Sequence, residues 1–215
     1  MGATRFVKLF LDFETSVVDL NLSSLDGSAE FALELARVIS DGNLPRLVRC
    51  DISKNSLGRQ GCERLMEVRA PRERDSVNGS SNPNSSDPPN PAPLGICPSF
   101  AQAFEQGTCP CPRRLNLSVC TLSDAGVHLI CLAMRAGVFK GLEALDLSAN
   151  NARTSMVFVA EVLKLGSCPA LRELTISKNV PPGERKGLPF CFRDKFFRSH
   201  ERLKIVDEEE GGNGD

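Results

Sequence analysis

Residues 142–151, LEALDLSANN, place leucines at 142, 145 and 147 and an asparagine at 150. The form L-x-x-L-x-L-x-x-N alternates apolar and polar positions with period two, which predicts a short strand with one buried side and a polar turn after it. Four other segments share it: VVDLNLSS from Val17, LVRCDISKN from Leu47, PRRLNLSVC from Pro112 and LRELTISKN from Leu171. ERLKIVD, with Leu203 in the anchor place, is a sixth and fainter copy. With the fourth residue of each unit as anchor (Leu20, Cys50, Leu115, Leu145, Leu174, Leu203), the spacings are 30, 65, 30, 29 and 29.

A second period lies inside each unit. Apolar residues at i, i+3, i+4 and i+7 begin eleven or twelve positions after the anchor: Ala32, Leu35, Ala36, Ile39; then Val127, Ile130, Cys131, Met134; then Met156, Val159, Ala160, Leu163. The second unit opens the same series with Cys62, Leu65 and Met66. Such a stripe is the buried side of an amphipathic helix. Gly42, Gly107, Gly137 and Gly166 stand eight residues before the following anchor, where a helix leaving through a left-handed cap needs glycine. Pro45, Pro110 and Pro169 follow three residues later and bar continuation of the helix. Strand, helix and cap thus recur on one register.

The ends and one internal stretch break it. Residues 1–16 contain FVKLFLDF, whose alternation predicts a strand too close to the first anchor to belong to a full unit; it is read as an N-terminal cap. Two units occupy 17–69. PRERDSVNGSSNPNSSDPPNPAP, from Pro71 to Pro93, buries too little apolar surface to offset its ordering entropy, so a disordered insertion is expected at about 71–96. Cys97, Phe100, Ala101 and Phe104 then resume helical spacing. They are either a second helical piece of the second unit or the remnant of a lost one. The fifth unit has its strand, but Pro181, Pro182, Gly183 and Pro189 forbid its helix, and Phe190, Phe192, Phe196 and Phe197 are expected to close the core. The unit-bearing region runs to 207, and 208–215, EEEGGNGD, reads as an acidic disordered tail.

Composition narrows function by exclusion. With 41% hydrophobic residues, 25% charged residues and a net charge of −1, the chain lacks the basic excess that nucleic-acid or membrane partners usually require. The N-terminus interrupts its apolar residues with Arg5, Lys8, Asp12 and Glu14, unlike a signal peptide or a membrane span. Nine cysteines, an odd number, several at core positions, are expected as reduced thiols in a cytoplasmic or nuclear compartment. Cys97, Cys109, Cys111 and Cys120 contain no C-x-x-C pair, which argues against zinc. His128 and His200 have no nucleophile or acid at triad spacing, and no glycine-rich phosphate loop occurs. No catalytic residue, cofactor or metal is therefore assigned. Ser23, Ser53, Ser118, Ser148 and Ser177, at the seventh place of each unit, either line a ligand-facing ladder or satisfy the backbone at the turn. Asn55, Asn150 and Asn179, at the ninth, are expected to bond the backbone of the neighbouring unit.

LEALDLSANN and LVRCDISKNSLG resemble the ribonuclease-inhibitor-like class of leucine-rich repeat proteins, over about residues 17–207. That likeness implies an α/β solenoid, an open arc with a parallel β-sheet on its concave face and helices on the convex one; Cys120 in place of the ninth-position asparagine is a known variation of such repeats. Proteins of this class typically bind other proteins on the concave face. They include inhibitors, nucleotide-oligomerisation receptors, GTPase activators and the actin regulators tropomodulin and CARMIL. The implied function is a non-enzymatic interaction scaffold, acting as a monomer on a protein partner. The alternatives are a regulator of a partner enzyme or of the cytoskeleton, and a platform displaying the insertion. The expected partner surface is Asp19, Asn21, Arg49, Asp51, Arg113, Arg114, Asn116, Glu143, Asp146, Arg172 and Glu173, flanked by Lys54 and Lys178. Arg49, Arg113 and Arg114 are expected as a basic group, and Glu143, Asp146 and Glu173 as an acidic one. Mixed sign favours a protein over a phosphate backbone.

Overall fold

The computed structural model describes residues 4, 7, 16–66, 112–180 and 203–206. Within them an α/β arrangement is built from one strand and then one helix, repeated: β1 (Asp19–Asn21), α1 (Ala29–Ser40), β2 (Arg49–Asp51), α2 (Gly58–Met66), β3 (Arg114–Asn116), α3 (Ser123–Arg135), β4 (Ala144–Asp146), α4 (Ser155–Lys164), β5 (Glu173–Thr175) and β6 (Lys204–Val206). The six strands form one parallel sheet in chain order. Leu20, Cys50, Leu115, Leu145 and Leu174 stand in register as Cα partners on successive strands.

The sixth place in that row is held by Ile205, not Leu203. Leu203 and Ile205 are two residues apart, and a slip of two keeps every side chain on its own face. Alternation alone therefore cannot choose between the two frames. At the other end, Val7 is helical where FVKLFLDF predicts a strand, as is Thr4 just before that stretch, and Val7 is fully buried in the core. The remainder of 1–15 lies outside the described residues, as do the insertion, Gly107, Cys97, Cys109, Cys111, residues 181–202 with His200 and the phenylalanines, and the acidic tail.

Each of the first five strands buries its central anchor beneath the helix layer, and the next apolar position (Leu22, Ile52, Leu117, Leu147, Ile176) is buried with it, while Ile205 of β6 is partly buried. The helical stripes meet these residues from the other side: Ala32, Leu35, Ala36, Ile39, Cys62, Leu65, Met66 and the corresponding residues of α3 and α4 all belong to one continuous core. Consecutive helices pack on one another. Gly61 and Gly126 lie at two of these contacts; a Cβ there would meet Ala32 Cβ of α1 (3.6 Å) and Cys62 Cβ of α2 (3.5 Å) at ordinary contact distance, and would be crowded instead by Leu57 Cβ (2.8 Å) and Leu122 Cβ (2.9 Å).

Helix ends follow local chemistry. Ser28, extended at the N-cap of α1, accepts the amide of Glu30 at 3.3 Å. At the C-termini, Gly42, Gly137 and Gly166 adopt φ of 78°, 81° and 73°. Their amides bond Ile39, Met134 and Leu163 carbonyls, and the amides after them bond Val38, Ala133 and Val162. This pair of reversed bonds is the Schellman closure, and it requires a left-handed residue. None of the described helices is long and apolar enough to cross a membrane.

Neighbouring units are stitched by the ninth-position amides. Asn55 Nδ2 donates to Leu22 O (2.9 Å) and Ile52 O (2.8 Å), while its Oδ1 accepts from Gly27 N (2.8 Å) and Leu25 N (3.2 Å). Asn150 repeats this with Leu117 O, Leu147 O, Cys120 N and Leu122 N, and Asn179 with Leu147 O, Ile176 O, Asn150 N and Ala152 N. Cys120 takes the same place, its thiol donating to Ile52 O at 3.2 Å and to Ser118 O at 3.5 Å. No buried side-chain N or O atom among the described residues lacks a partner.

Candidate functional site on the outer face of the sheet

Register fixes two rows of side chains on the face turned away from the helices. The residue before each anchor gives, strand by strand, Asp19, Arg49, Arg114, Ala144, Glu173 and Lys204. The residue after each anchor gives Asn21, Asp51, Asn116, Asp146, Thr175 and Val206. Over the first five strands they line an open depression of about 290 Å³. Eight of the eleven expected partner-surface residues border it: Asp19, Asn21, Arg49, Asp51, Arg114, Asn116, Asp146 and Glu173.

Arg113, Glu143 and Arg172 do not. They precede the strands, where their backbones continue the ladder at the sheet's entry edge: Glu143 N donates to Arg113 O (2.7 Å) and Arg172 N to Glu143 O (2.8 Å). Arg113 is ion-paired with Glu143 at 3.1 Å. Adjacent residues of an extended chain point to opposite sides, so neither Arg113 with Arg114 nor Arg172 with Glu173 shares a face. The expected basic and acidic groups are each split by this alternation. Ala144 and Thr175 border the depression without having been expected there; their places beside the Leu145 and Leu174 anchors are the signal that finds them.

The second row has a local duty. Oδ1 of Asn21, Asp51, Asn116 and Asp146 accepts the backbone amide of the serine two residues on, at 2.8–3.0 Å. The hydroxyls of Ser23 and Ser148 donate to the same Oδ1 of Asn21 and Asp146, each at 2.7 Å. The seventh-position serines are therefore tied into the turn. Their carbonyls extend the ladder, accepting from Ser24, Lys54, Val119 and Ala149 amides of the preceding units. Asn116 Nδ2 also reaches Asp51 Oδ2 at 3.1 Å.

The first row is less committed. Arg49 is paired with Asp19 at 2.7 Å, with the two side chains 59% and 53% exposed. A pair this exposed contributes at most about 1 kcal/mol, so a partner can displace it readily. Arg114 and Glu173 make no ion pair or side-chain hydrogen bond with any described residue. Ala144, between them, presents only a methyl group.

Other chemistry-bearing side chains lie elsewhere. Cys50, Cys62, Cys120, Cys131 and Cys168 are buried thiols. Burial raises the Cys62 thiol far above its ordinary range, with Cys120, Glu63 and Cys131 nearby adding to the effect. Burial likewise pushes Cys120 up to about 11 and Cys131 to about 12. These are protonated, unreactive thiols. Among the described residues no three His, Cys, Asp or Glu side chains come together as a metal site. His128 lies on the exposed side of α3, edge-on to Phe158 of α4 at 5.1 Å.

The chain matches no protein-family model and no curated protein sequence.

Proposed function

We propose that the chain is a leucine-rich repeat solenoid of the ribonuclease-inhibitor-like class, an open arc that binds a protein partner through the outer face of its sheet and carries out no catalysis itself. The observation that carries the reading is the first row: side chains from five strands held at fixed spacing over an open depression, with Arg114 and Glu173 uncommitted. Rigid strands that present unpaired charges of both signs fit recognition of a polypeptide surface. The 29–30-residue strand–helix period and the inter-unit asparagines support the class. Five buried thiols fit a reducing compartment, cytoplasmic or nuclear.

The test is affinity capture from cell extract with the wild-type chain and with an Arg114→Glu/Asp19→Lys/Glu173→Lys variant, having first checked that both melt at the same temperature. Supporting the reading, wild type retains at least one protein that the variant loses. Identical captured sets would remove the outer face from consideration.

A further inference from the structure

Building on the protein-binding reading and specifying its partner's chemistry, we infer that the depression receives a zwitterionic polypeptide segment, one carboxylate set against Arg114 and one cation against Glu173. Across the first row, Arg49 is already neutralised by Asp19 at 2.7 Å. Arg114 and Glu173 are the next two charges, separated by the strand that carries Ala144. Lys204 stands one strand beyond Glu173 without forming an ion pair to it. In the second row Asp51 and Asp146 give one carboxylate oxygen each to a serine amide, which leaves them weaker rivals for a ligand cation.

Geometry sets the spacing of the two ligand charges. Neighbouring strands lie about 4.8 Å apart, so the β3 and β5 side chains rise about 10 Å from each other. A segment crossing the strands must present an acid and a base at that separation on one side. A β-strand does not: same-face residues are about 7 or 13 Å apart. A polyproline-type segment does so with residues i and i+3, about 9 Å apart. A helix does so with i and i+7, about 10.5 Å apart. The openness of the depression points to a chain rather than a free small molecule. At about 290 Å³ it lies wide open, unlike the enclosed pockets that bury most of a small ligand. It accommodates side chains whose backbone stays outside.

The experiment is a random twelve-residue phage-displayed peptide library panned on the full chain. Enriched peptides should carry an acid–base pair three or seven positions apart. Each should bind Arg114→Glu and Glu173→Lys at least about tenfold more weakly. Binding should return on the double variant Arg114→Glu/Glu173→Lys, where the same peptide lies in the opposite direction. Enriched peptides without that pair, binding indifferent to Arg114→Glu, a double variant that does not recover, or no enrichment would each overturn the inference. The capture experiment above uses no peptide and no double rescue, so the broader reading stands or falls separately.

Discussion

Asn150→Ala strips both sides of one inter-unit clamp. The side chain is fully buried. Its Nδ2 donates to Leu117 O at 2.8 Å and Leu147 O at 3.0 Å, and its Oδ1 accepts from Cys120 N at 2.9 Å and Leu122 N at 3.3 Å. Alanine leaves two buried amides without acceptors, each costing about 1–3 kcal/mol, and adds the smaller loss at the two carbonyls. A total of about 3–5 kcal/mol follows, a large share of the roughly 5–15 kcal/mol that holds an average domain. Cys120 supplies an internal standard, because a thiol already fills the equivalent place with a single contact across units, to Ile52 O. Asn150→Cys retains a donor toward Leu117 O and should lose about half as much. Urea unfolding followed by circular dichroism is the suitable assay, since the chain has no Trp and no Tyr. The midpoint should fall in the order wild type, Asn150→Cys, Asn150→Ala at unchanged slope. A loss below about 1 kcal/mol for alanine, or equal losses for both variants, would refute the clamp.

Three further outcomes are expected. Val119 is a β-branched residue, 43% exposed, in a left-handed conformation (φ 54°); Val119→Asn should raise stability by about 1 kcal/mol, read as a higher midpoint of thermal melting, because asparagine tolerates that region. Gly166 has φ 73° and open space about its Cα, so Gly166→Ala should cost about 1 kcal/mol from backbone strain alone; an unchanged melting temperature would contradict the Schellman assignment. Asp124, at the start of α3, accepts from Thr154 N (2.8 Å), Ser155 N (2.8 Å) and Ser155 Oγ (2.7 Å) at the start of α4. Partial burial pushes its carboxyl upward, but the hydrogen bonds from Ser155 and Thr154 outweigh that and hold it below the usual carboxylate range. Because the folded-state value is the lower, the stabilisation is complete above the unfolded value of about 3.9 and vanishes as pH falls through the folded one. Asp124→Ala should therefore destabilise by about 0.5–2 kcal/mol at neutral pH and converge with wild type in acid, measured by urea titrations at several pH values.

What the sequence disclosed and what it hid divide along physical lines. The anchors, the helical stripes, the glycine caps and the ninth-position amides were all legible, because each is a residue-type requirement repeated at a fixed offset. Three independent periods left one register open to the five central units. At the ends the constraint weakens. FVKLFLDF satisfies period two, yet Phe6, Leu9, Phe10 and Phe13 also fit i, i+3, i+4, i+7, and burial of Val7 selects helix at the two described positions. Leu203 and Ile205 satisfy the sheet equally well in two frames. Asp124 was invisible for a different reason: it caps the helix of the next unit, a contact across 30 positions that no local pattern encodes. The left-handed turn residues Ser24, Lys54, Val119, Ala149 and Lys178 likewise carry no glycine to mark them. The amides of Ser24, Lys54, Val119 and Ala149 are held there by ladder bonds, and a buried residue follows Lys54, Val119, Ala149 and Lys178.

The outer face of the sheet divides into a row that folding uses and a row that it does not. Every residue after an anchor faces outward, but in four units its oxygen is drawn into the turn by the serine amide two positions on. Replacing such a residue disturbs the turn as well as the surface, and in those four units the place is held by Asn or Asp, whereas Thr175 and Val206 stand there in the last two strands. The residue before each anchor has no such task. It is free to be Asp, Arg, Ala, Glu or Lys, and that row does vary through all five types across the six strands. In the proposed protein-binding role, discrimination between partners is assigned to the first row, while the second is committed to the turns. The consequence is measurable at two positions on one strand. Arg114→Glu should leave urea stability within about 0.5 kcal/mol, as for an ordinary surface substitution, while changing what the chain binds. Asn116→Leu should lose about 1 kcal/mol or more by freeing the Ser118 amide. Equal stability losses at 114 and 116 would break the division between the rows.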